Sequence, residues 1–421
     1  MSSPVYTGTP VTEEAKIILL KLLNDIEAPD GVKDHATQAS FTGAPHPMLP
    51  LPHKHFPAVA ALQALHGSYG AHIWSIRTGR DDPVQLTVDT DHALFYLASA
   101  MLARVDGVPA ALVKQPLLEL KTNDPLSLLP AKHAASAIFR CTDGVYFHTH
   151  GSINPRITLA AMGINPDDDN LDLPTTRRLM EAFVETRSSK EMLEWKVKLG
   201  LPGDICYKPE EYAQTTHGKI ATKWPLFTTP AQLEDVTPPV AFTKSPDLKR
   251  PLDGIKVLEM TRVIAGPAIG RQLAEMGATI VRVIAPHLMD FGGHVMQVDL
   301  NLGKRACYVD LKSAEGRLVM LHLLKEADVF LHGYRPGVLS RLGFGPEVLN
   351  QIAVNRGRGF VQVVENCYGH EGPWAWRPGF QQIADATTGV AWETGVACGQ
   401  ATPITPCLPI SDYQTGIIGS I

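Results

Sequence analysis

The second half of the chain alternates between short apolar runs and segments with helical periodicity. Strand-like runs occur at GIKVLEM, TIVRVIAP, ACYVDLK, DVFLHGY and GFVQVVEN. Between them lie segments with apolar residues at helical spacing, among them PAIGRQLAEMGA, with Pro267 in its first turn, and SAEGRLVMLHLLKEA, capped by Ser313. Strands separated by helices predict a parallel sheet with right-handed crossovers. This is a Rossmann-like α/β fold, whose ligand binds at the carboxyl ends of the strands.

The first half has a mixed pattern. TEEAKIILLKLLNDI and PAVAALQALHGSYGAHIWSIR have the apolar spacing of helices, and the second is long and rich in small residues. VQLTVDTDHALFYLASAMLARV predicts a short strand followed by a helix, DGVYFHTH predicts an edge strand, and several short helical segments follow. We therefore expect a helical region and a small mixed α+β domain before the parallel sheet.

A stretch rich in Pro and Thr, from Pro225 to Pro251, separates the two halves. Its turn and extended signals, with little helical periodicity, are typical of a linker. The expected domains are residues 1–224, a linker at 225–250, and residues 251–421. The last segment, DYQTGIIGSI, ends inside an apolar helical pattern without a cap, so we expect the second domain to be truncated at its C-terminus.

Composition and charge narrow the classes of function. The 421 residues carry a net charge of −5 and no long charged run, which argues against a nucleic-acid-binding protein. The six cysteines form no CxxC pair and no zinc-finger spacing with histidine, so we expect reduced thiols and no metal site. The N-terminus has no secretory signal pattern, and no apolar stretch approaches the roughly 18–20 residues of a membrane helix. A cytoplasmic protein without a membrane partner is the expectation.

The first strand-to-helix turn, in EMTRVIAGPAIGRQLAEMGA, lacks the GxGxxG of dinucleotide-binding proteins. The backbone N–H groups at the start of its helix would still face an anionic or carbonyl ligand. From the local sequence, a plain connection between strand and helix without any ligand is the alternative.

Three longer stretches of the second half are PLDGIKVLEMTRVIAGPAIGRQLAEMGATIVRV, NLGKRACYVDLKSAEGRLVMLHLLKEADVFLHGYRPGVLSRLGFG and GHEGPWAWRPGFQQIADATTG. They resemble the class III CoA-transferase family, also called CaiB/BaiF, and they occur in family order at family-like spacing. The resemblance implies an enzyme that moves CoA from an acyl-CoA to a carboxylic acid. It also implies CoA as a co-substrate, no permanently bound cofactor, and assembly into homodimers.

The family's nucleophile is an aspartate that follows the third stretch, and PISDYQTGIIGS places Asp412 at the matching position. Its carboxylate would attack the thioester carbonyl and form a mixed anhydride, from which the CoA thiolate would form an aspartyl-CoA thioester. The local sequence alone also allows Asp412 to be only the N-cap of a helix, a position that Asp favours.

Five positions correspond to residues with which the family binds CoA. They are Val263, Ala265, Arg282, Arg341 and Leu342. Arginine suits phosphate groups because its guanidinium forms paired, charge-assisted hydrogen bonds, although each arginine would otherwise be a solvated surface charge. Lys304 and Arg305 are either a further basic pair near the phosphates or ordinary charges at the start of a strand.

The chain departs from the family at several positions. Residues 332–334 read His-Gly-Tyr where the family has Glu-Asn-aromatic, so an Asn that helps to hold CoA is missing, and Arg271 stands where some transferases have Gln. The racemase branch of the family uses a His–Asp pair, and the position of its His reads Phe-Gln-Gln at 380–382. A 2-methylacyl-CoA racemase therefore ranks below a transferase. The lost Asn keeps a non-catalytic CoA-binding protein as a further alternative.

The first half resembles the family more faintly. ALQALHGSYGAHIWSIRTGRDDPVQLTVDTDHALFYL is similar to the segment that follows the nucleophile in the family, and DGVYFHTHGSINPRITLAAMGI is similar to the start of its small domain. A tandem member with a degenerate first copy, at residues 1–224, would explain this order. A permuted protein, in which the first half serves the second, is the alternative.

Overall fold

The computed structural model describes residues 8–49, 51–80, 84–112, 134–168, 171–229, 237, 240–288, 296–359 and 361–421. Part of the predicted linker, at 230–236, 238 and 239, lies outside the described residues. The chain forms a helical region, a small antiparallel sheet with its own helices, and a parallel sheet in the second half. The predicted fold class is confirmed.

The first half begins with helices and short strands. The helices are α1 (Val11–Asp25), α2 (Asp30–Thr37), α3 (His55–Thr78), α4 (Thr90–Tyr96) and α5 (Ser99–Leu102). The strands are β1 (Ser40–Thr42) and β2 (Thr87–Asp89), which pair in parallel, and β3 (Arg104–Val105) and β4 (Val108–Pro109), which pair antiparallel. Helix α3 is the long helix that the small-residue pattern predicts, and it ends at Gly79 in the left-handed conformation. Within the described residues, no helix has the length and apolar character needed to cross a bilayer.

A small antiparallel sheet follows, in the order β5-β6-β7. Its strands are β5 (Ala137–Arg140), β6 (Tyr146–Thr149) and β7 (Gly203–Ile205), and the helices around it are α6 (Pro155–Ala161), α7 (Leu173–Val184), α8 (Ser189–Leu199), α9 (Pro209–Gln214) and α10 (Gly218–Ala221). The interpretation of DGVYFHTH as an edge strand was wrong, because β6 is the central strand. Strand β7, which lies far along the chain, pairs with the second side of β6.

The second half contains a five-stranded parallel sheet. Its strands are β8 (Lys256–Met260), β9 (Thr279–Ile284), β10 (Lys304–Tyr308), β11 (Val329–His332) and β12 (Val361–Val364). Their order in the sheet is β10-β9-β8-β11-β12, and every neighbouring pair is parallel. The chain moves outward from β8 to β10 and then crosses to the other side of β8. The switch point between β8 and β11 is where such sheets bind ligands.

Helices cover both faces of this sheet. They are α11 (Ala265–Glu275), α12 (Met296–Leu300), α13 (Ala314–Glu326), α14 (Val338–Arg341), α15 (Pro346–Arg356), α16 (Gln381–Thr388), α17 (Val390–Ala397) and α18 (Ile410–Ile418). Successive residues of β8 face opposite layers: Val257 shares a core with Ile269 of α11, and Leu258 shares a core with Met320 of α13. Burial on both faces explains why the inner strands β8, β9 and β11 read as apolar runs, whereas the edge strands β10 and β12 are more exposed.

The helices of the first half pack directly against the second half. One buried core combines Val59 and Ala60 of α3 with Ala268 of α11 and with Tyr413 and Ile417 of α18. Burial of this shared apolar surface, at about 25 cal/mol per Å², makes the two halves depend on each other for stability.

Arg77, in the Arg-Thr-Gly turn at the end of α3, fastens the linker to the second half. Its guanidinium is buried and donates to the carbonyl oxygens of Pro251 at 2.7 Å and Asp253 at 2.8 Å. The backbone N–H of Ser245 donates to the carbonyl oxygen of Arg77 at 2.8 Å, and the guanidinium carbon lies 5.6 Å from the ring centre of Phe242. This turn therefore fixes where the chain enters β8.

Candidate active site

The carboxyl ends of the central strands open onto a cavity of about 2740 Å³. Its wall includes the turn after β8, the segments after β11 and β12, the start of α16 and the first turns of α18: Val263, Ala265, Gly333, Glu365, Phe380 and Asp412. Sites for drug-sized ligands usually measure about 300–1,000 Å³. The cavity also extends along the face of the sheet toward the amino ends of β8 and β11, past Ile255, Val257 and Val329, so only its part at the carboxyl ends lies at the switch point that the strand order defines.

Asp412 lies at the wall of this cavity in the first turn of α18. The helix begins at Ile410 and Pro409 is its N-cap residue, so Asp412 is the third residue of the helix. This placement excludes the alternative that Asp412 is the N-cap. The side chain is half-buried, and no residue in the described parts of the chain donates a hydrogen bond to its carboxyl.

Burial and two neighbouring carboxyls raise the pKa of Asp412 well above its usual range. Burial is the largest cause, followed by the charges of Glu365 and Asp385. The N-terminal end of α18 acts in the opposite direction, because free backbone N–H groups favour a nearby anion. A raised pKa makes the ionised carboxylate a better nucleophile. It also means that Asp412 stays protonated up to a higher pH than an ordinary aspartate.

A buried polar network holds the turn that leads into α18. Ser411 donates to Oδ1 of Asp385 at 3.0 Å, and Nε2 of Gln381 donates to Oδ2 of Asp385 at 3.0 Å and to the carbonyl oxygen of Leu408 at 3.1 Å. Asp385 is only 3% exposed. The network therefore fixes the backbone next to Asp412, and no sequence pattern predicts it.

A second network anchors α18 from its buried side. The hydroxyl of Tyr413 donates to Oδ2 of Asp299 at 2.8 Å and accepts from the backbone N–H of Ala100 at 3.2 Å. Arg271 donates to Oδ1 of Asp299 at 2.5 Å and to the hydroxyl of Ser99 at 2.9 Å. Arg271, which differs from the Gln of some transferases, is therefore an ion-pair partner that connects α11 and α12 with α5 of the first half.

Helix α18 also approaches α11 closely. A Cβ at Gly416 would lie 2.5 Å from Cβ of Ala268 and 3.1 Å from its carbonyl carbon. Only a glycine allows this contact, because a side chain at 416 would meet the backbone of α11. The contact places the first turn of α18, and with it Asp412, beside the turn that follows β8.

A buried ion pair between Lys304 and Glu259 supports the turn after β8. Nζ of Lys304 lies 2.8 Å from Oε2 of Glu259 and donates to the carbonyl oxygen of Pro267 at 2.7 Å, and Thr261 donates to Oε1 of Glu259 at 2.7 Å. Lys304 is thus engaged inside the protein and is not free to bind a phosphate. The pair supports the loop whose residues Val263 and Ala265 line the cavity.

The remaining predicted CoA-binding residues lie away from the cavity wall. Arg282 is 1% exposed and donates to Gln297 at 3.0 Å. Arg341 ends α14 with an exposed side chain, and Leu342 packs against the core that contains Leu339. The structure brings Val263, Ala265 and Asp412 together around one cavity, and a role of the other three in CoA binding stays a prediction.

Glu365 is a cavity residue that the sequence did not reveal. It directly follows β12, its side chain is half-buried, and burial raises its pKa to about 7. It follows an apolar strand that reads like the others, so only the approach of β12 and α18 to one cavity identifies it. Among the described residues, no group of three His, Cys, Asp or Glu side chains is arranged to hold a metal ion.

Comparison with known proteins decides the family. Residues 252–421 match the model of CoA-transferase family III. An acyl-CoA transferase of Gibberella moniliformis is 37% identical over 403 residues, which cover 93% of this chain and 70% of that protein. The chain belongs to CoA-transferase family III. It is therefore an enzyme that transfers CoA, and not the non-catalytic binding protein that the departures in sequence left open.

Two further relatives match different shares of this chain. The acetyl-coenzyme A transferase nodX of Hypoxylon pulicicidum is 33% identical over 449 residues, covering 100% of this chain and 73% of that protein. The succinyl-CoA–L-malate CoA-transferase beta subunit of Chloroflexus aurantiacus is 34% identical over 182 residues, covering 41% of this chain and 44% of that subunit. The Gibberella and Hypoxylon proteins match both halves of this chain, whereas the Chloroflexus subunit matches less than half of it. The helical first half is therefore shared within part of the family.

Proposed function

We propose that this enzyme moves CoA from an acyl-CoA to a carboxylic acid and that Asp412 is its nucleophile. The observation that carries the proposal is the position of the Asp412 carboxyl. It lies at the cavity wall on the first turn of α18 and accepts no hydrogen bond from the described residues. A carboxylate in this state is available to a substrate carbonyl, and the networks through Asp385 and Tyr413 keep it in place.

The reaction follows from the chemistry of a carboxylate and a thioester. An oxygen of Asp412 attacks the thioester carbonyl carbon, the C–S bond breaks, and the CoA thiolate leaves a mixed anhydride on the protein. The thiolate then attacks the aspartyl carbonyl, which releases the donor acid and leaves an aspartyl-CoA thioester. The acceptor carboxylate attacks this thioester, and the displaced thiolate attacks the acceptor carbonyl. This last step frees Asp412 and the new acyl-CoA.

Two groups of residues would bind the substrate in this mechanism. Val263 and Ala265 border the cavity at the turn after β8, where the helix N-terminus of α11 offers backbone N–H groups to a carbonyl or phosphate oxygen. Arg282, Arg341 and Leu342 complete the proposed CoA-binding set through the resemblance to the family.

Trapping of the acyl intermediate tests the proposal. The full chain is incubated with acetyl-, propionyl-, succinyl- or benzoyl-CoA in the presence of hydroxylamine, and the peptide that contains Asp412 is examined by mass spectrometry for a hydroxamate. We expect a hydroxamate at Asp412 with at least one donor. We also expect Asp412→Asn to lower the rate of CoA transfer by about 10³-fold or more.

Glu371→Gln is the matched control, because Glu371 lines the same cavity but is exposed. It should retain both the hydroxamate at Asp412 and the rate of transfer. A hydroxamate on another carboxyl, or full activity of Asp412→Asn, would rule out Asp412 as the nucleophile.

A racemase is the second candidate, because the structure brings a histidine to the start of α16. The ring of His150, from the first half, stacks on Phe380 with a centroid distance of 4.2 Å, and Nε2 lies 3.3 Å from Oε1 of Gln382. Burial lowers the pKa of His150 to about 3, so it is a weak base in this position. Incorporation of deuterium at the α-carbon of a 2-methylacyl-CoA in D₂O would support the racemase, and a transferase should show none.

We further propose a homodimer located in the cytoplasm. The resemblance to the family supports the dimer. The six cysteines, all free in the structure, are consistent with a reducing compartment. Sedimentation equilibrium should give twice the chain mass of 45.8 kDa, and a monomer over the micromolar range would contradict the assembly.

A further inference from the structure

His150 follows β6 in the first half of the chain and forms part of the wall of the cavity in the second half. Its side chain is 7% exposed, and its ring stacks on Phe380 with the ring centres 4.2 Å apart and the planes 8° from parallel. His150 and Ser152 line the same cavity as Asp412. The first half therefore contributes side chains to the candidate site.

The backbone after His150 determines which ring nitrogen carries the proton. Ser152 has a φ of 58°, a left-handed conformation that is uncommon for residues other than glycine, and its backbone N–H donates to Nδ1 of His150 at 2.9 Å. Burial, together with the charge of His148, lowers the pKa of His150 to about 3. The ring is therefore neutral near pH 7, and because Nδ1 is an acceptor, its one proton is on Nε2.

This tautomer orients the side-chain amide of Gln382. Nε2 of His150 lies 3.3 Å from Oε1 of Gln382. Because the ring nitrogen is the donor, the amide oxygen accepts and the NH₂ group is turned away from the ring. Gln382 is half-buried at the cavity wall, and its amide nitrogen has no hydrogen-bond partner among the described residues. A neutral donor with a defined orientation is thus available to a ligand in the cavity.

Hydrogen bonds connect the first turn of α16, where Gln382 lies, with the first turn of α18. Gln381, the preceding residue, donates from Nε2 to Oδ2 of Asp385 at 3.0 Å. Ser411, which precedes Asp412, donates to Oδ1 of the same carboxyl at 3.0 Å. Gln382 and Asp412 are therefore the direct neighbours of two residues that one buried carboxyl holds together, and both belong to the same part of the cavity wall.

We propose that Gln382 donates a hydrogen bond from Nε2 to the carbonyl oxygen of the bound acyl-CoA thioester, and that His150 is a positioning residue that orients this amide. The inference rests on the proposed transfer from an acyl-CoA. When a carboxylate adds to the thioester carbon, the second electron pair of the C=O bond moves to oxygen, and an oriented donor stabilises this charge. The pair returns to the C=O bond as the C–S bond breaks, so Gln382 neither gains nor loses a proton.

The test measures kcat and KM of CoA transfer by the full chain, with the acyl-CoA and the acid of the panel that react fastest. Gln382→Leu removes the donor and keeps a side chain of similar size. It should lower kcat by about 10²-fold and change KM by less than about threefold. Gln362→Leu is the matched control, because it makes the same replacement on β12 at the wall of the same cavity. It should leave kcat and KM within about twofold of the wild type.

A double-mutant cycle tests the role of His150. His150→Phe keeps an aromatic ring against Phe380 and removes the hydrogen bond to Gln382, so it should lower kcat by about tenfold. In the Gln382→Leu background the same replacement should have no further effect, because His150 acts through Gln382. His150→Gln places an amide nitrogen near the position of Nε2 and should recover part of the rate. If His150→Phe does not fold, His150→Asn replaces it in the cycle, since it keeps an acceptor for Ser152 but is too short to reach Gln382.

An unchanged kcat of Gln382→Leu, or a change in KM alone, would overturn the proposed hydrogen bond to the carbonyl oxygen. Equal losses on replacing His150 with and without Gln382 would show that its role is only structural. The rate of CoA transfer does not depend on which carboxyl is the nucleophile. A loss of about 10²-fold in Gln382→Leu without any labelling of Asp412 would therefore support this inference and refute the proposed nucleophile. Labelling of Asp412 at the wild-type rate in Gln382→Leu would do the reverse.

Discussion

Lys196 is a buried amine that has no hydrogen-bond partner among the described residues, and its replacement by methionine should stabilise the protein. The residue lies on α8 and is 0% exposed, and its Nζ has no partner in the described part of the chain. Its Cε lies 3.2 Å from the position that a Cβ at Gly203 would take, and Nζ lies 5.4 Å from the ring centre of Trp195. Methionine has a similar length and shape, so Lys196→Met keeps the packing and removes the buried amine.

The size of the effect follows from the change in pKa. Burial lowers the pKa of Lys196 from 10.5 to about 7. At pH 8 an unfolded chain keeps this lysine protonated, whereas the folded chain must release the proton, at a cost of roughly 3 kcal/mol. The stability of the wild type should therefore rise as the pH increases from 7 toward 10.5. At pH 10 the remaining cost is about 1 kcal/mol.

Urea unfolding followed by circular dichroism at pH 8 and pH 10 measures this difference. We expect Lys196→Met to raise the free energy of unfolding by roughly 3 kcal/mol at pH 8 and by about 1 kcal/mol at pH 10. Lys198→Met, on the exposed side of the same helix, should change it by less than about 0.5 kcal/mol at either pH. A destabilised Lys196→Met protein, or a gain that does not shrink between pH 8 and pH 10, would refute the reasoning.

Two predictions concern the anchoring of α18. Tyr413→Phe removes the hydroxyl that donates to Asp299 and leaves the buried N–H of Ala100 unpaired, so the free energy of unfolding should fall by roughly 2–4 kcal/mol in urea titrations. Gly416→Ala adds a methyl group 2.5 Å from Cβ of Ala268, and the overpacking should destabilise the protein by about 1–3 kcal/mol in spite of the better helix propensity of alanine. Both variants should lower the rate of Asp412 labelling, because they displace the first turn of the helix.

Their controls lie on the surface. Tyr308→Phe changes a tyrosine that is 66% exposed, and Gly343→Ala adds a methyl group where nothing lies within 4 Å, although its backbone is left-handed. Tyr308→Phe should leave stability within about 0.5 kcal/mol of the wild type. Gly343→Ala should lower stability by about 1 kcal/mol without changing Asp412 labelling. An effect of Tyr413→Phe no larger than that of Tyr308→Phe would show that the Asp299 network contributes nothing.

The sequence predicted the parallel sheet correctly, because its strands lie in short apolar runs and each is followed by a helical segment. The same reasoning failed for β6, whose partner β7 lies more than fifty residues further along the chain. Pairing between distant segments depends on tertiary packing, and a local pattern of four residues contains no information about a second neighbour.

Some residues of the candidate site were also predicted from the sequence, whereas the role of others depends on the fold. Asp412 was predicted from a motif with its place in family order, and Val263 and Ala265 follow from their position in the first turn after a strand. Lys304 shows the opposite case: its sequence position allowed a phosphate-binding role, but in the fold its amine is buried against Glu259. Whether a charged side chain reaches solvent or an ion-pair partner depends on the packing of segments that lie far apart in sequence.

The sequence by itself determined the fold class and the family, because periodicity and the order of motifs can be read without the fold, and it predicted the nucleophile that we propose. Only the tertiary structure placed Glu365 opposite Gly333 and beside the cavity that holds Asp412, and only it connected Arg271 to Asp299 and Tyr413. The physical reason is that the charge state of a carboxyl depends on its burial and on neighbours brought together by folding. The position of the residue along the chain specifies neither its burial nor these neighbours.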